Sequence, residues 1–441
     1  TYHMTVAALA ILDPSTAPEP FTFLRFRRHV EERLHRAPTF RRRLVRVPLD
    51  LDHPYWAEDP EFDLDAHLHH LAVPPPGGRA ELMALFGRLI SRPLDLRRAL
   101  WEMHFIEGLA PGIEGAPEGS VALVYKFHHA AIDGVSGVEL VSTLLDPTPE
   151  PEPVRSPDKP WTPDRIPSDL ELVAKALGHT ITGPLRAAEL LPKLLSTVGR
   201  MGKELGREAL DRVGHLDLPK APATAPKTSF NGTVCGRRVY DAAMISLAEV
   251  KAVKARVPGA TVNDVALCVC AGALRRYLED RGELPEDPLV AILPVSVRSA
   301  DERGAMGNRV SILRCAIYTE VKDPRERLLR IVENTHHAKR LHGAMDTGME
   351  MEATRFLASG LLGVFTRAVS ALHVADRAAP LANVTISNVP GPRFPLYAAG
   401  ARVLAEFGSG PVVDGIGLLI GVFSYDGRVS LGFTACKRLL P

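Results

Sequence analysis

Eight prolines stand among charged residues between positions 147 and 167. Each proline fixes its own φ and removes a backbone donor, so the stretch cannot hold a packed core and reads as a stiff connection. A chain interrupted there must fold as separate units on either side. At 441 residues it is long enough for a substantial core in each. Hydrophobic residues make up 46% and charged residues 24%, ordinary globular values that exclude a disordered or collagen-like chain.

Before the break, residues 6–12 read as a strand, 21–35 and 79–90 as helices, 101–109 as extended, and 121–127 as a strand of the buried type. From Gly134, the residues Val135, Val138, Val141 and Leu145 recur at helical spacing until Asp146-Pro147 stops them. After the break, 168–216 carry helical periodicity, and 219–226 concentrate proline again. Strands are then expected at 234–240, 289–297, 310–318, 383–387, 415–424 and 429–435, with helices at 246–256 and 262–278 and two long helical stretches after residue 318. This order predicts an α/β protein of two sandwich lobes: an N-terminal lobe over 1–150, a proline-rich and helical linker over 151–227, and a C-terminal lobe over 228–441.

The strongest local signal is His128-His129-Ala130-Ala131-Ile132-Asp133-Gly134, directly after the buried strand and before a helix. Neighbours on a strand point to opposite faces, so only one of the two histidines can face a given cavity. His129 and Asp133 form the useful pair. If the chain turns at Gly134, Asp133 can fold back to fix the His129 ring or its loop, leaving one imidazole nitrogen as a base near neutral pH. Equally open is a strand end whose histidines bond backbone groups, with Asp133 serving as a helix N-cap.

Two histidines and a carboxylate also resemble an iron-binding facial set, but adjacent strand residues diverge, so no metal is expected. The histidines at 67, 69 and 70, and those at 336, 337 and 342, lack a carboxylate at ligand spacing. No GxSxG, GxxxxGK or GxGxxG occurs, which removes support from a serine acyl-enzyme, a nucleotide hydrolase and a Rossmann oxidoreductase. What remains is a base that activates a hydroxyl or amine of one bound substrate to attack another.

A formal net charge of +1 offers no field to gather nucleic acid or anionic lipid, and nucleic acid is not expected as a partner. Nine arginines against two glutamates cluster between positions 25 and 46; Arg41 to Arg43 could meet Asp133 or an anionic substrate, or form a solvated face. Five cysteines without CxxC spacing read as reduced thiols of a cytoplasmic protein. Apolar windows end after about ten residues, short of the ~20 a bilayer span needs. Apolar stripes with basic residues at 184–213 and 353–375 suit either lobe packing or the surface of a membrane. The opening Thr1-Tyr2-His3-Met4 leads straight into the first strand without a charged leader, so export is not expected.

The motif at His128 to Gly134 matches the HHxxxDG signature of the CoA-dependent acyltransferase superfamily, which includes chloramphenicol acetyltransferase, plant alcohol acyltransferases and condensation domains. The flanking residues 100–109, Asn263-Asp264, Pro294-Val295-Ser296-Val297-Arg298, Gly307-Asn308-Arg309 and Ser387-Asn388-Val389-Pro390-Gly391-Pro392 resemble the bacterial wax ester synthase/diacylglycerol acyltransferase family over nearly the whole chain. Two departures stand out. Ala99-Leu100-Trp101 replaces the family's Pro-Leu-Trp, and the segment that usually precedes the first strand is missing, which implies a trimmed amino terminus.

The resemblance implies two chloramphenicol-acetyltransferase-like lobes with an active-site tunnel between them, entered by acyl-CoA and an alcohol from opposite sides. It makes His129 the general base, with His128 beside it, Asp133 in a structural role and Gly134 permitting the turn. Trp101, Asn263, Asp264, Ser387 and Asn388 become substrate-binding candidates. Thr261-Val262-Asn263-Asp264 is also a capping-box pattern, so Asp264 can simply close a helix start, while Ser387 and Asn388 either supply an oxyanion donor or satisfy their turn. The implied reaction moves a long-chain acyl group from acyl-CoA to diacylglycerol or a fatty alcohol, with acyl-CoA as co-substrate and no other cofactor. The implied location is cytoplasmic, at the inner membrane or lipid droplets. A condensation-type enzyme using carrier-bound acyl groups and a non-catalytic lipid-binding protein are the alternatives.

Overall fold

The computed structural model describes residues 4–131, 141, 143–150, 154–155, 161–178, 224–296, 310–344, 370 and 373–441. Asp133, Gly134, Gly307 to Arg309, most of the expected linker and nearly all of the two basic apolar stripes lie outside the described residues.

In chain order the first part forms β1 (Thr5–Asp13), α1 (Phe23–Arg33), β2 (Arg42–Val45), β3 (Tyr55–Glu58), β4 (Leu68–Ala72), α2 (Arg79–Ser91), β5 (Trp101–Glu107) and β6 (Val121–His128). The second part forms β7 (Arg238–Ser246), α3 (Leu247–Ala255), α4 (Val262–Asp280), β8 (Val290–Ser296), β9 (Val310–Ala316), α5 (Pro324–Ala344), β10 (Val384–Pro390), β11 (Tyr397–Ala398), β12 (Ala401–Ser409), β13 (Leu418–Tyr425) and β14 (Arg428–Cys436). Two six-stranded sheets result, ordered β11-β12-β1-β6-β5-β4 and β7-β14-β13-β10-β8-β9.

Strand β6 is buried at every position because it lies inside the first sheet with helices over both faces. On one face Tyr125 and Phe127 pack with Phe26 and Val30 of α1, whose start is capped by the Thr22 hydroxyl accepting from Arg25 N–H at 3.3 Å. On the other, Val124 and Leu9 meet Leu82 and Phe86 of α2. The second sheet packs Val384, Ile386 and Ile420 against Val265 and Leu274 of α4 and Ile331 of α5. Part of the expected linker returns to the first lobe: Leu172 and Ala176 pack on Val47, and Trp161 Nε1 donates to Glu58 Oε2 at 3.0 Å.

The expected C-terminal lobe over 228–441 does not keep to one sheet. Its β11 and β12 join the first sheet, where β12 pairs antiparallel with β1. Without β12, β1 would leave a full row of backbone donors and acceptors unpaired at the sheet edge. The sheets then meet across glycines. A Cβ at Gly421 would stand 3.0 Å from the Gly408 carbonyl oxygen, and one at Gly432 would overlap it. That bare backbone lets β12 cross the β13–β14 pair.

Part of the arginine cluster is neutralised within the fold. Arg27 pairs with Asp65 at 2.6 Å, Arg46 with Asp50 at 2.7 Å, and buried Arg33 with buried Asp146 at 3.2 Å. Beside that last pair, burial first and then the Arg33 charge push His29 down to about 4, and its Nε2 lies 2.7 Å from the Leu144 carbonyl oxygen.

Candidate active site

Both neighbours of β6 hold its end. His128 N–H donates to Leu100 O at 3.0 Å on the β5 side, and His129 N–H donates to Met4 O at 2.7 Å on the β1 side. Ala131 N–H then donates back to His128 O at 2.9 Å, closing a turn. The two imidazoles go opposite ways. His128 is buried, and its Nδ1 accepts from Ala130 N–H at 3.1 Å. His129, half-buried, lines a cavity of about 460 Å³ between the sheets. That volume falls within the usual range for small-molecule sites. His128, expected beside His129 as a catalytic group, is therefore turned into the backbone by strand alternation and does not line the cavity.

The cavity wall from the first sheet includes Ala8, Tyr125, Phe127 and Glu406, and the wall from the second includes Thr385, Ser387, Val389 and Phe423. Ser387, one of the substrate-binding candidates, thus lines the cavity. Asn388, next on β10, faces away and donates from Nδ2 to Asn263 Oδ1 at 3.0 Å. Both asparagines line the far side of the sheet rather than the cavity, because alternation along β10 divides Ser387 from Asn388.

Asp264 and Trp101 are also structural here. The Asp264 carboxylate is fully buried and accepts from Thr261 N–H at 2.8 Å, Thr261 Oγ1 at 2.7 Å and Thr335 Oγ1 at 2.8 Å, completing the capping box of α4 and tying it to α5. Trp101 is buried, donates from Nε1 to Phe40 O at 2.8 Å and stacks on His67 at 4.6 Å. Its size and its single donor are used by the core, so neither residue touches the cavity.

Among the cavity residues not expected from the sequence are Tyr125 and Glu406. Burial pushes the Glu406 carboxyl up to about 7. Burial, with the Glu406 charge added, also raises the Tyr125 phenol far above its ordinary value. Residues 401–409 alternate only in part, with Leu404 between Val403 and Ala405, and a glutamate in such a pattern reads as solvent-facing.

The fold thus places one histidine in the cleft between two six-stranded sheets. Among solved structures, the chain is similar to the wax ester synthase/diacylglycerol acyltransferase of Marinobacter aquaeolei VT8, with TM-score 0.63 and 28% identity over 99% of this chain and 90% of that one. It shares its fold with the starter condensation domain of rhizomide synthetase in complex with C8-CoA and Leu-SNAC, with TM-score 0.56 and 13% identity over 100% of this chain and 85% of that one.

The wax ester synthase/diacylglycerol acyltransferase catalytic domain matches residues 1–266, and the C-terminal domain of the same family matches residues 306–441. A Mycobacterium tuberculosis H37Rv protein named as a diacylglycerol O-acyltransferase is 36% identical over 441 residues, covering 99% of this chain and 83% of its own length. Another from the same species, named tgs2, is 33% identical over 457 residues, covering 99% and 91%. The chain belongs to the wax ester synthase/diacylglycerol acyltransferase family and is an acyltransferase. Among the described residues no helix is long and apolar enough to cross a membrane.

Proposed function

We propose that the chain transfers a long-chain acyl group from acyl-CoA to the hydroxyl of diacylglycerol or a fatty alcohol, forming triacylglycerol or wax ester. The observation that carries this reading is the placement of His129 on the wall of a mostly apolar cavity between the sheets. Apolar walls suit the acyl chains of both substrates, and burial of those chains supplies the binding energy.

A thioester is already activated, so the protein needs to deprotonate the acceptor, align it and stabilise the developing oxyanion. His129 takes the hydroxyl proton as the new oxygen–carbon bond forms, and returns it to the thiolate released when the carbon–sulfur bond breaks. Asp133 holds the motif in shape, and Ser387 offers a hydroxyl from the opposite wall. No acyl-enzyme forms, and acyl-CoA is a co-substrate rather than a resident cofactor. The acceptors are lipids, which makes peripheral association with the inner membrane or a lipid droplet the working location.

The test is release of CoA from oleoyl-CoA in the presence of dioleoylglycerol or hexadecanol, with the lipid product identified by mass spectrometry. Transfer to either acceptor supports the reading. Absence of transfer to both, or a stable acyl adduct on the protein after incubation with oleoyl-CoA alone, overturns it.

A further inference from the structure

One wall of the cavity carries two polar groups that the reaction above does not use. The Tyr125 hydroxyl is buried and has no hydrogen-bond partner among the described residues, and Tyr125 itself is 1% exposed. The Glu406 carboxyl forms no hydrogen bond or ion pair with any other described residue, and burial is the cause of its raised pKa. A buried polar group without a partner costs about 1–3 kcal/mol, which applies to the Tyr125 hydroxyl, while the half-buried Glu406 presents its carboxyl to the cavity.

The sheet aims both groups at the same space. Ala8 pairs with Tyr125 on one side of β1, and Ala10 pairs with Glu406 on the other, so the two side chains rise on one face and flank that strand. Two strand spacings of ~4.8 Å across and two residues of ~3.3 Å along put their Cα atoms about 12 Å apart. Between them on β1 stand the small side chains of Ala8, which lines the cavity, and Ala10, which is buried in the core.

Glu406 reaches this face because of an irregularity in β12. The register slips between Ile11, opposite Ala405, and Leu12, opposite Val403, so Leu404 is the extra residue of a β-bulge. Beyond the bulge, Ala401 and Val403 share the core of Tyr125, whereas Ala405 and Phe407 pack on the opposite face with α2. An unbroken alternation from Val403 would have turned Phe407 toward the cavity and Glu406 away from it.

We infer that Tyr125 and Glu406 form a subsite that holds an ester oxygen of a diacylglycerol acceptor, so that the cavity selects an ester-bearing acceptor over a simple long-chain alcohol. The inference rests on the proposed acyl transfer to a lipid hydroxyl. A fatty alcohol brings only its reacting hydroxyl into the cavity, but diacylglycerol brings two ester carbonyls that lose their water on entry. An apolar wall would leave those carbonyls unbonded, and a phenol and a protonated carboxyl are the donors that meet them. Tyr125 stands three residues before His128 on β6, about 10 Å from the turn that carries His129, which keeps donor and base on one continuous wall.

The experiment compares wild type, Tyr125→Phe, Glu406→Leu and Glu406→Gln with oleoyl-CoA and either dioleoylglycerol or hexadecanol. Tyr125→Phe and Glu406→Leu should each lower kcat/KM for dioleoylglycerol about tenfold or more and change that for hexadecanol less than about twofold. Glu406→Gln, which still donates and accepts, should keep most of the diacylglycerol activity. Equal loss with both acceptors, a raised KM for oleoyl-CoA, or no loss at all overturns the subsite. Binding of radiolabelled dioleoylglycerol from detergent micelles needs no turnover and separates the two readings. If wild type transfers to neither acceptor yet binds the lipid, and Glu406→Leu does not, the subsite stands and the proposed reaction falls.

Discussion

Asn388 donates from Nδ2 to Asn263 Oδ1 at 3.0 Å, joining β10 to the first turn of α4 across 125 residues of sequence. The bond lies behind the cavity wall that carries Ser387, so it acts on the strand rather than on substrate. Asn263→Ala and Asn388→Ala should each destabilise the protein by about 1 kcal/mol, with a double-mutant coupling of similar size. Urea denaturation of the four proteins measures it. Below the melting transition, KM for either acceptor should stay within about threefold of wild type, and a selective rise in one KM would place these amides on the substrate path instead.

His128 and His129 should separate cleanly by assay. His129→Ala should lower kcat by at least ~100-fold, the usual scale of a lost general base, with a smaller fall in melting temperature than His128→Ala. His128→Ala removes a buried ring whose Nδ1 holds Ala130 N–H, so it should lower the melting temperature while keeping kcat within about tenfold where the protein is folded. A reversed pattern would mean that the wrong ring has been assigned to the cavity.

The strands at 6–12 and 121–127 were legible because they are continuous apolar runs, the helix at 79–90 because of its period, and the helix at 262–278 because its period and its capping box agree. Strand β12 was not, since Ala401, Val403, Ala405, Phe407 and Ser409 alternate with Arg402, Leu404, Glu406 and Gly408 and carry no strong apolar run. Its sheet partner could not be read at all: pairing β12 with β1 depends on contacts almost 400 residues apart in sequence. At the site, alternation correctly divided His128 from His129, but the same rule applied to β10 would also have separated Ser387 from Asn388. Glu406 was out of reach for a further reason. Its direction depends on one extra residue in a bulge, and a bulge leaves no mark in the hydrophobic pattern.

Asp264 provides a test of stability that does not involve substrate. Its carboxylate accepts three hydrogen bonds from two threonines on different elements, and no water reaches it. Asp264→Ala leaves Thr261 N–H without its partner and cuts the link from α4 to Thr335 of α5. The expected cost is roughly 3 kcal/mol, read as a lower urea midpoint. Activity should return to near wild type when the variant is assayed well below its new transition. Failure to recover would give Asp264 a part in substrate binding.

Glu406 should make both stability and acceptor choice depend on pH. The folded protein holds this carboxyl protonated up to about 7, while an unfolded glutamate loses its proton near 4.5. Between those values the native state binds more protons than the unfolded state, so this group's contribution to stability falls as pH rises. Glu406→Gln removes that slope: its melting temperature should exceed that of wild type at pH 8, and the difference should shrink toward pH 5. The groups facing Glu406 do not mimic the effect. Tyr125 on β6 and Tyr425 on β13 titrate far above the window, Tyr425 being pushed up to about 12 by burial. His129 on the same wall is unchanged in the variant, so the difference between the two curves isolates the carboxyl. If the protonated form is the one that donates to an ester oxygen, wild-type preference for dioleoylglycerol over hexadecanol should decline as pH passes about 7, and Glu406→Gln should hold a flat ratio. A ratio that declines equally in both proteins would remove Glu406 from acceptor choice.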